Sequence, residues 1–573
     1  MINKMTQYSF ILLHGDKEDF LSGLQQLGVV DITRSTKPTD SFSQSLLDNI
    51  ATLRKDIEYA TNGSDPTLVE LETRRDALLQ ELAEVTPWGE YDREKLSPFG
   101  LHFYAVAPKK YDPAWEEQYA IQVVGEQDSV KWFVLVGDNT GFPLKELPAP
   151  QHTPSELKPM LEDAEDKIAV HRHILDQRRD DIPTMERHIR NIQADLDRYL
   201  AGVAAVPAAE DTIDILVGFA PSENDEAVTA FLDQAAVYYI KSEATLEDNP
   251  PIKLKNNKFV KMFEVLTDMY GRPDYNEFDP TPYISVFFLL FFAMCMGDAG
   301  YGLLLVLIGI LLRKSDGMKS LSPLVTVLGI GTFVVGIVMH TFFGVDISQL
   351  AWIPSWLKAV MITGNIAGFD AQMVLSLVIG IVHLCLAMVV KTVYATRNKG
   401  FLGSLGIWGW TLLIVGGVAI GALAMLNLLP AGVVKGIFIV LGVVSALGIF
   451  LFNDIHRNPL KNIGSGLWET YNTVTGLLGD VLSYLRLYAL GLAGGMLGKA
   501  FNDIATMTLG DGSFGIGWLF FALILVIGHA LNLAMCCLGA FVHPLRLNFL
   551  EFFKNSGYDG KGRVYNPLSS NNN

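Results

Sequence analysis

One charged residue, Arg486, lies in the middle of an otherwise apolar segment that is long enough to cross a membrane. The segment covers residues 476–498 and reads GLLGDVLSYLRLYALGLAGGMLG. Placing a guanidinium at bilayer depth costs at least about 2.5–3.5 kcal/mol, so it is tolerated mainly where it faces protein or water. Arginine also keeps its proton in proteins, unlike a group that must load and unload one. The sequence therefore predicts a functional fixed charge at Arg486; a structural arginine in a buried ion pair is the alternative.

The segment offers Arg486 little neutralisation from its own helix. The only acidic residue in the segment, Asp480, is six residues away. Six residues correspond to about 120° around a helix and roughly 9 Å along it. The two side chains are therefore not neighbours of the i,i+4 kind, and we expect any counter-charge for Arg486 to come from elsewhere.

A second polar feature is a stripe along the last apolar segment. Its members fall within an arc of about 100° and span roughly 25 Å of helical rise; they are His529, Asn532, Cys536, His543 and Arg546. Such a stripe lines water or faces a polar partner helix. His and Asn in helix bundles also form satisfied interhelical hydrogen bonds, and snorkelling alone would explain Arg546 near the end of the helix.

Three acidic residues are weaker candidates for the same path. They are Asp298, in the glycine-rich turn GDAGYG at 297–302, together with Asp480 and Glu469. The single histidines His340 and His383 are expected to be packing residues. The four cysteines lack metal-ligand spacing, and no P-loop, HExxH or nucleophile elbow occurs in a supporting context. We therefore expect no cofactor, no metal and no hydrolysis of ATP by this chain alone.

Charge divides the chain into two different halves. Residues 283–573 carry 16 Lys and Arg against 11 Asp and Glu, and residues 1–282 carry 28 against 50. The acidic first half argues against nucleic acid or anionic lipid as its partner. The first 20 residues lack a signal-peptide core, so we expect this half to stay in the cytoplasm.

The first half reads as α/β lobes joined by a coiled coil, within a predicted cytoplasmic domain at 1–275. Two charged stretches with helical apolar spacing, 42–85 and about 153–202, predict the arms of an antiparallel coiled coil, with a kink at Pro183. Solvated surface helices of a compact domain are the alternative. Alternating apolar patterns predict the strands, which are 8–13, 28–33, 101–107, 119–124, 131–137 and both ends of 212–240.

The second half, 276–573, predicts an α-helical polytopic membrane domain. Lys and Arg gather after every second apolar segment, and the positive-inside rule places those groups in the cytoplasm. The first segment must then enter and return as a hairpin at GDAGYG. The prediction is eight transmembrane helices, the last two long, with both termini cytoplasmic. The apolar segments are 284–312, 322–344, 372–393, 404–429, 433–452, 467–497 and 515–541; the basic groups are Arg313/Lys314/Lys319, Lys391/Arg397/Lys399, Arg457/Lys461 and Arg546/Lys554/Lys561/Arg563.

Several motifs of the second half match a known family. They are SYLRLYALGLA (483–493), GHALNLAMCCLGAFVHPLRLNFLEFF (528–553) and YNEFDPTPYISVFFLLFFAMCMGDAGYG (275–302). The chain resembles subunit a of the vacuolar and archaeal-type rotary ATPases, called subunit I in bacteria, in a short prokaryotic form. The first half resembles that family more loosely, through its opening residues and LVGFAP at 216–221.

The resemblance implies a function. In that family the arginine matching Arg486 faces a rotating ring of proteolipid c/K subunits, and the one matching Arg546 lies near the cytoplasmic side of the ion path. The chain would be a non-catalytic stator subunit of the Vo/Ao sector in a prokaryotic inner membrane, coupling ring rotation to H⁺ or Na⁺ translocation. Its partners would be the ring, peripheral-stalk E/G-type subunits, a nearby central-stalk d/C-type subunit, the V1/A1 sector and the lipid bilayer.

A secondary ion transporter is the alternative function. Such transporters usually contain repeats with paired broken helices. The sequence shows no second copy of the Arg486 segment, and the transporter reading leaves the long first half unexplained.

Overall fold

The computed structural model describes residues 2–569 except 35–39, 128, 211, 316, 351–352, 367, 427, 429, 452–458 and 510–514. The predicted basic residue Arg457 and the side chain of Lys461 lie outside the described part. The chain forms two compact units. The first comprises Met1–Leu12, Val29–Ile32 and Ile215–Pro567, and the second comprises Leu13–Gly28, Thr33–Asp214 and Leu568–Asn573.

The second unit is built on two long pairs of helices. Helix Ser41–Asn62 packs on Ile182–Val203 through Ile50, Ile189 and Ile192, and helix Pro66–Val85 packs on Pro154–Asp180 through Leu68, Ile168 and Leu175. The first arm therefore runs antiparallel to the second, as the apolar spacing predicts. The unit also contains helix Lys17–Leu27, the short helices Arg93–Leu96 and Trp115–Gln118, and an antiparallel sheet in the order Leu101–Val106, Val130–Val136, Ile121–Gln127.

Both arms of this coiled coil are divided. The second arm is interrupted at Asp181, immediately before Ile182 and Pro183, so the predicted kink is a break between two helices. The first arm also breaks, which the periodicity does not predict. There Gly63 ends one helix in the left-handed region, and the Asp65 side chain accepts a hydrogen bond from the Leu68 N–H to start the next. Gly, Asp and Pro within NGSDP are the residues that end and begin helices.

The first unit contains an α/β lobe. Its sheet places Asp31–Ile32, Ile213–Pro221, Met5–Leu13 and Tyr238–Glu243 side by side in that order. Met5–Leu13 pairs antiparallel with Tyr238–Glu243, from Thr6 opposite Glu243 to Ile11 opposite Tyr238. Helix Asp225–Gln234 connects two of the strands. The strand–helix–strand pattern predicted over 212–240 is therefore confirmed.

The rest of the first unit is dominated by apolar helices. Within the described parts of the chain, five helical stretches are long and apolar enough to cross a membrane: Ala371–Gly403, Leu405–Met425, Ala431–Phe450, Asn462–Met507 and Ile516–Ser556. Three shorter apolar helices precede them: Thr281–Met296, Ala299–Leu312 and Ser322–Val338. The first predicted segment thus divides at Gly297 and Asp298, inside the expected turn. The connecting regions hold the short helices Lys258–Lys261, Glu264–Tyr270 and Ser355–Lys358 and the hairpins Thr341–Phe342/Val345–Asp346 and Asn365–Ile366/Phe369–Asp370.

The C-terminal tail, residues 557–567, returns to the α/β lobe of the same unit. The Ile252 N–H donates to the Arg563 carbonyl at 2.6 Å, and the Tyr565 hydroxyl donates to the Val29 carbonyl at 2.6 Å. The Arg563 guanidinium lies 3.6 Å from the buried carboxylate of Asp31. The tail therefore ties the end of the last apolar helix to the lobe, a role that the sequence alone does not assign to it.

Asp225 is the polar centre of the lobe. Its carboxylate accepts hydrogen bonds from the Tyr8 hydroxyl at 2.8 Å and the Thr6 hydroxyl at 3.1 Å, and pairs with Lys241 at 2.9 Å. Partial burial works to raise the pKa of Asp225, but the bonds from Lys241, Tyr8 and Thr6 outweigh it and lower the pKa. A carboxyl with a lowered pKa contributes stability above its unfolded pKa, and this contribution is lost as pH falls through the folded value.

We predict that Asp225→Asn lowers the melting temperature of the full-length chain at about pH 7. The difference from wild type should narrow as the pH falls below the usual range of an Asp carboxyl, because the wild-type carboxylate then takes up a proton. Thermal unfolding in detergent at several pH values measures this. Asp233→Asn, at an exposed position of the same helix, is the control and should follow wild type throughout. A difference in melting temperature between wild type and Asp225→Asn that does not change with pH would contradict the stabilising role given to the Asp225 carboxylate.

Candidate functional site

Arg486 is positioned by the residue at which its helix begins. The long polar-to-apolar helix Pro459–Ser483 ends one residue before Tyr484, and Leu485–Met507, here called the Arg486 helix, begins directly after it. Tyr484 is fully buried. A Cβ on Gly380 would lie 2.3 Å from the Tyr484 ring, so the tyrosine packs directly against the backbone of another helix.

A buried histidine holds the hydroxyl of Tyr484. The Nδ1 atom of His383 lies 2.9 Å from that oxygen. The imidazole is also stacked on Phe552, with the ring centroids 4.8 Å apart and the planes inclined by 8°. His383 is buried in the core, as the sequence predicts, but it additionally fixes the start of the Arg486 helix. That second role depends on a partner 101 residues away and leaves no local pattern in the sequence.

The Arg486 guanidinium has no counter-charge inside the described structure. Its Nη1 atom is buried and has no hydrogen-bond partner among the described residues. Asp480 instead accepts a hydrogen bond from Asn555 at 2.9 Å and lies 3.7 Å from the Lys554 ammonium. The expectation that Asp480 does not neutralise Arg486 therefore agrees with the structure.

Arg486 lies on a line of exposed side chains along its helix. Ala489, Ala493 and Met496 are exposed and occur at helical spacing with residue 486, and Leu482, on the preceding helix, is exposed four residues before it. The side chains of this stripe are small or apolar apart from the arginine. One face of the helix thus presents a single positive charge within an apolar surface.

His543 and Arg546 lie at the end of helix Ile516–Arg546, here called the C-terminal helix. Both Arg486 and Arg546 are close enough to His543 to act on it electrostatically. Arg546 is exposed, whereas the Nδ1 atom of His543 is buried and lacks a hydrogen-bond partner within the described part of the chain. The structure thus brings Arg486, His543 and Arg546 into one basic group.

A buried carboxylate adjoins this basic group. Glu551 is 4% exposed and lies in the widened helical turn Leu547–Phe552. It is close enough to Asp480 and Arg546 to interact electrostatically, and its Oε2 atom has no hydrogen-bond partner among the residues described. The sequence analysis missed Glu551. Its position seven residues, about two helical turns, after the helix-interior proline Pro544 is the signal that was available in the sequence.

His529 and Asn532 belong to a separate, internally bonded network. The Tyr301 hydroxyl lies 2.8 Å from His529 Nδ1 and accepts a hydrogen bond from Asn532 at 2.8 Å. Asn532 also donates to the Gly494 carbonyl at 2.9 Å, and His529 Nε2 lies 3.0 Å from the Asn502 amide oxygen. The polar stripe of the C-terminal helix is therefore two groups: satisfied interhelical bonds around His529 and Asn532, and unsatisfied groups around His543.

Asp298 is a buried structural acceptor in this geometry. Its Oδ1 atom accepts hydrogen bonds from the N–H groups of Gly300, Tyr301 and Phe343, and its Oδ2 atom accepts one from Gly344 at 2.8 Å. The side chain is 1% exposed. The local cap was foreseeable from GDAGYG, but the bonds to Phe343 and Gly344, more than 40 residues on, were not. Asp298 thus joins the turn between two apolar helices to the following loop.

Glu469 lies in neither group. It is half-buried on helix Pro459–Ser483, 17 residues before Arg486, which corresponds to roughly 25 Å of helical rise. Within the described residues no three His, Cys, Asp or Glu side chains form a group that could hold a metal ion.

A polar cavity lies beside the middle of the Arg486 helix. It has a volume of about 220 Å³, and His340, Asp346, Asp370 and Lys499 are among its lining residues. The His340 Nδ1 atom is 3.1 Å from Asp346. Gly491 and Gly495 open the wall on the Arg486 helix. The sequence analysis did not single out Asp346, Asp370 or Lys499, because each is one charge in a polar connecting loop or at a helix end.

The apolar helices define a membrane protein. One of them carries Arg486, which has no counter-charge among the described residues. A family model described as V-type ATPase 116kDa subunit family matches residues 148–322 and 467–570, which include Arg486, Asp298 and the C-terminal helix. Over these two ranges the chain matches the model of this family.

The chain is also similar to curated proteins from archaea and bacteria. It is 33% identical over 386 residues to the A-type ATP synthase subunit I of Methanocaldococcus jannaschii, covering 61% of this chain and 54% of that protein. The corresponding protein of Pyrococcus horikoshii is 32% identical over 367 residues, covering 62% and 53%. These alignments span about half the length of the archaeal proteins. The V-type ATP synthase subunit I of Borreliella burgdorferi is 25% identical over 621 residues, covering 99% of both chains.

Removing one charge at Asp298 should weaken the fold. Asp298→Asn keeps one acceptor oxygen, so at least one N–H group would face an amide that cannot accept its hydrogen bond. We predict a loss of about 2–3 kcal/mol in unfolding free energy, measured by denaturant unfolding in mixed micelles. Asp503→Asn, at an exposed position of the Arg486 helix, should change it by less than about 0.5 kcal/mol. Equal effects of the two variants would contradict the role given to Asp298.

Deleting the Tyr484 hydroxyl should leave His383 Nδ1 buried without a partner. Tyr484→Phe is predicted to cost about 1–3 kcal/mol, seen as a lower melting temperature of the purified chain. Tyr471→Phe is the matched control, because Tyr471 is 62% exposed on the preceding helix. A Tyr484→Phe variant as stable as Tyr471→Phe would show that the hydrogen bond does not anchor the helix.

Proposed function

We propose that this chain is the membrane stator subunit of the Vo/Ao sector of a V/A-type rotary ATPase. It forms the two ion half-channels against a proteolipid ring and is itself non-catalytic. The observation that carries the proposal is the Arg486 guanidinium, which lies on an apolar helix face and has no counter-charge among the residues that the structure describes. The names of the similar proteins, subunit I of A-type and V-type ATP synthases, support it.

The proposed topology has eight membrane crossings with both termini in the cytoplasm. The five long helices supply five crossings, and the shorter helices Thr281–Met296, Ala299–Leu312 and Ser322–Val338 supply three. The division at Gly297 and Asp298 supports the entering and returning hairpin. In this proposal residues 1–275 form the cytoplasmic stator domain and residues 276–573 form the membrane domain, in the inner membrane of a prokaryote.

The chemistry of translocation follows from the fixed charge. A ring carboxylate takes up an ion in one half-channel, travels through lipid while neutral, and must ionise when it meets Arg486. An opposite charge at about 4 Å in a medium of effective dielectric constant near 20 is worth about 4 kcal/mol, which is about three pKa units. This is enough to drive release near neutral pH. The same positive charge repels cations and prevents a leak between the half-channels.

The two polar regions are the proposed half-channels. On the cytoplasmic side, the end of the path is surrounded by Arg546, His543, Glu551 and Asp480. Two of their atoms, His543 Nδ1 and Glu551 Oε2, lack hydrogen-bond partners among the described residues. On the outer side, the cavity beside His340, Asp346 and Lys499 supplies the entrance. The bonded network of His529 and Asn532 lies between the helices and holds the Arg486 helix in register.

The proposed partners follow from the stator role. The exposed face of the Arg486 helix meets the proteolipid c/K ring. The cytoplasmic domain, with its long coiled coil, is held by peripheral-stalk E/G-type subunits, near the central-stalk d/C-type subunit and beneath the V1/A1 sector. The ion is H⁺ or Na⁺. The choice between the two depends mostly on the site around the ring carboxylate, which belongs to another subunit.

The test is ATP-driven ion uptake into inverted membrane vesicles. Arg486→Ala is predicted to abolish uptake while the complex still assembles, as judged by pull-down. Arg486→Lys should also lose most of the uptake, because an ammonium group does not reproduce the planar guanidinium. Lys435→Ala, at an exposed position of another apolar helix, is the control and should pump normally. An assembled Arg486→Ala complex that pumps near the wild-type rate would make this chain a scaffold without the ion path.

A further inference from the structure

A cavity of about 580 Å³ lies where the first apolar helix begins, within the first compact unit. Its lining includes Lys4 from the start of the chain, Tyr283 from the first apolar helix, and Tyr394 and Arg397 from helix Ala371–Gly403. The proposed ion path does not use this cavity, and neither half-channel includes its residues. It combines basic and tyrosine side chains at the level where apolar helices leave the membrane, which is where headgroups lie.

The basic side chains of this cavity are available, and its acids are not. Within the described parts of the chain, neither Lys4 nor Arg397 has a carboxylate partner within 4 Å. Glu277, which also lines the cavity, accepts hydrogen bonds from the N–H groups of Asp274 and Asp559, both at 2.8 Å. Asp279 is buried and accepts one from the Thr281 N–H at 3.0 Å. Lys4 and Arg397 therefore remain free to contact an anionic group, whereas the two carboxylates are engaged by backbone N–H groups.

Apolar strips lead from the cavity along the helices into the membrane. Val393 and Val389 lie four and eight residues before Arg397, on the same face of its helix, and are 54% and 39% exposed. Val286 lies four residues after Pro282, which lines the cavity, and is 56% exposed. A small hydrated anion would not contact these apolar strips. A molecule with an anionic head and apolar chains contacts both parts.

The aromatic side chains shape the cavity wall. Tyr283 and Tyr394 both pack on the ring of Phe278, at centroid distances of 6.1 and 5.2 Å. Neither tyrosine is fully buried, and tyrosine at a membrane border commonly packs its ring against apolar surface and turns its hydroxyl to the polar side. Basic residues near a membrane border follow from topology alone; a formed cavity with rigid aromatic walls does not.

We propose that this cavity binds the headgroup of an anionic phospholipid. Lys4 and Arg397 contact the phosphate, the tyrosine hydroxyls contact its remaining oxygens or the glycerol, and the acyl chains lie along the exposed valines. The bound lipid joins the start of the chain, the first apolar helix and helix Ala371–Gly403. The proposal requires only that the chain is embedded in a membrane, so it does not depend on the rotary function.

Lipid binding to the purified full-length chain in detergent tests the proposal. The probes are short-chain phosphatidylglycerol, short-chain phosphatidylcholine and inorganic phosphate, and native mass spectrometry measures the bound fraction. Wild type should bind phosphatidylglycerol more tightly than the other two probes. The double variant Lys4→Gln/Arg397→Gln should bind it about thirtyfold more weakly, because each basic side chain near an anionic headgroup contributes about fivefold.

Lys399→Gln is the matched control, since Lys399 is exposed on the same helix two residues beyond Arg397 and does not line the cavity. It should stay within about twofold of wild type. Should the double variant not fold, Arg397→Gln alone should weaken binding by about fivefold. The proposal is overturned by unchanged affinity in the cavity variants, by equal binding of phosphatidylcholine, or by inorganic phosphate binding as tightly as phosphatidylglycerol.

Discussion

An arginine on an apolar helix, without a counter-charge among the described residues, is the constraint on which the rest of this structure depends. Arg486 gains nothing from Asp480, which is bonded to Asn555 and lies near Lys554. Leaving a guanidinium half-buried and unneutralised is costly. Such a cost is tolerated where the opposite charge is supplied by another molecule, as in the function proposed above. The surrounding helices must therefore hold the arginine rigidly while leaving one face open.

The rigidity comes from polar groups that satisfy one another. Asp298 collects four backbone N–H groups, and Tyr301 links His529 to Asn532 across the helices. In contrast, His543 and Glu551 keep buried atoms without partners among the described residues. A fully satisfied network specifies one arrangement of helices, whereas unsatisfied groups are suited to exchanging protons or water. The satisfied groups therefore support the helix that carries the arginine, and the unsatisfied groups lie on the proposed path of the ion.

The sequence reveals those parts that depend on local pattern. Hydropathy locates the apolar helices, alternation locates the strands of the α/β lobe, and a lone arginine in an apolar segment stands out by composition. It does not reveal contacts between distant residues. Examples are the bond between His383 and Tyr484, the return of Arg563 to Asp31, and the contacts of Asp298 with Phe343 and Gly344. The polar stripe of the C-terminal helix also contains two kinds of group. Helical spacing alone does not distinguish a hydrogen-bonded side chain such as Asn532 from one such as His543, which keeps an atom without a partner among the described residues.

The central claim is that the face carrying Arg486 meets a ring subunit. A photoreactive benzophenone amino acid at Ala489, next to Arg486 on the exposed stripe, tests this directly in the assembled complex. The account predicts a covalent adduct with the proteolipid, and none from the same probe at Val440, which is exposed on a different apolar helix. Proteolipid adducts of equal yield from both positions, or from neither, would contradict it.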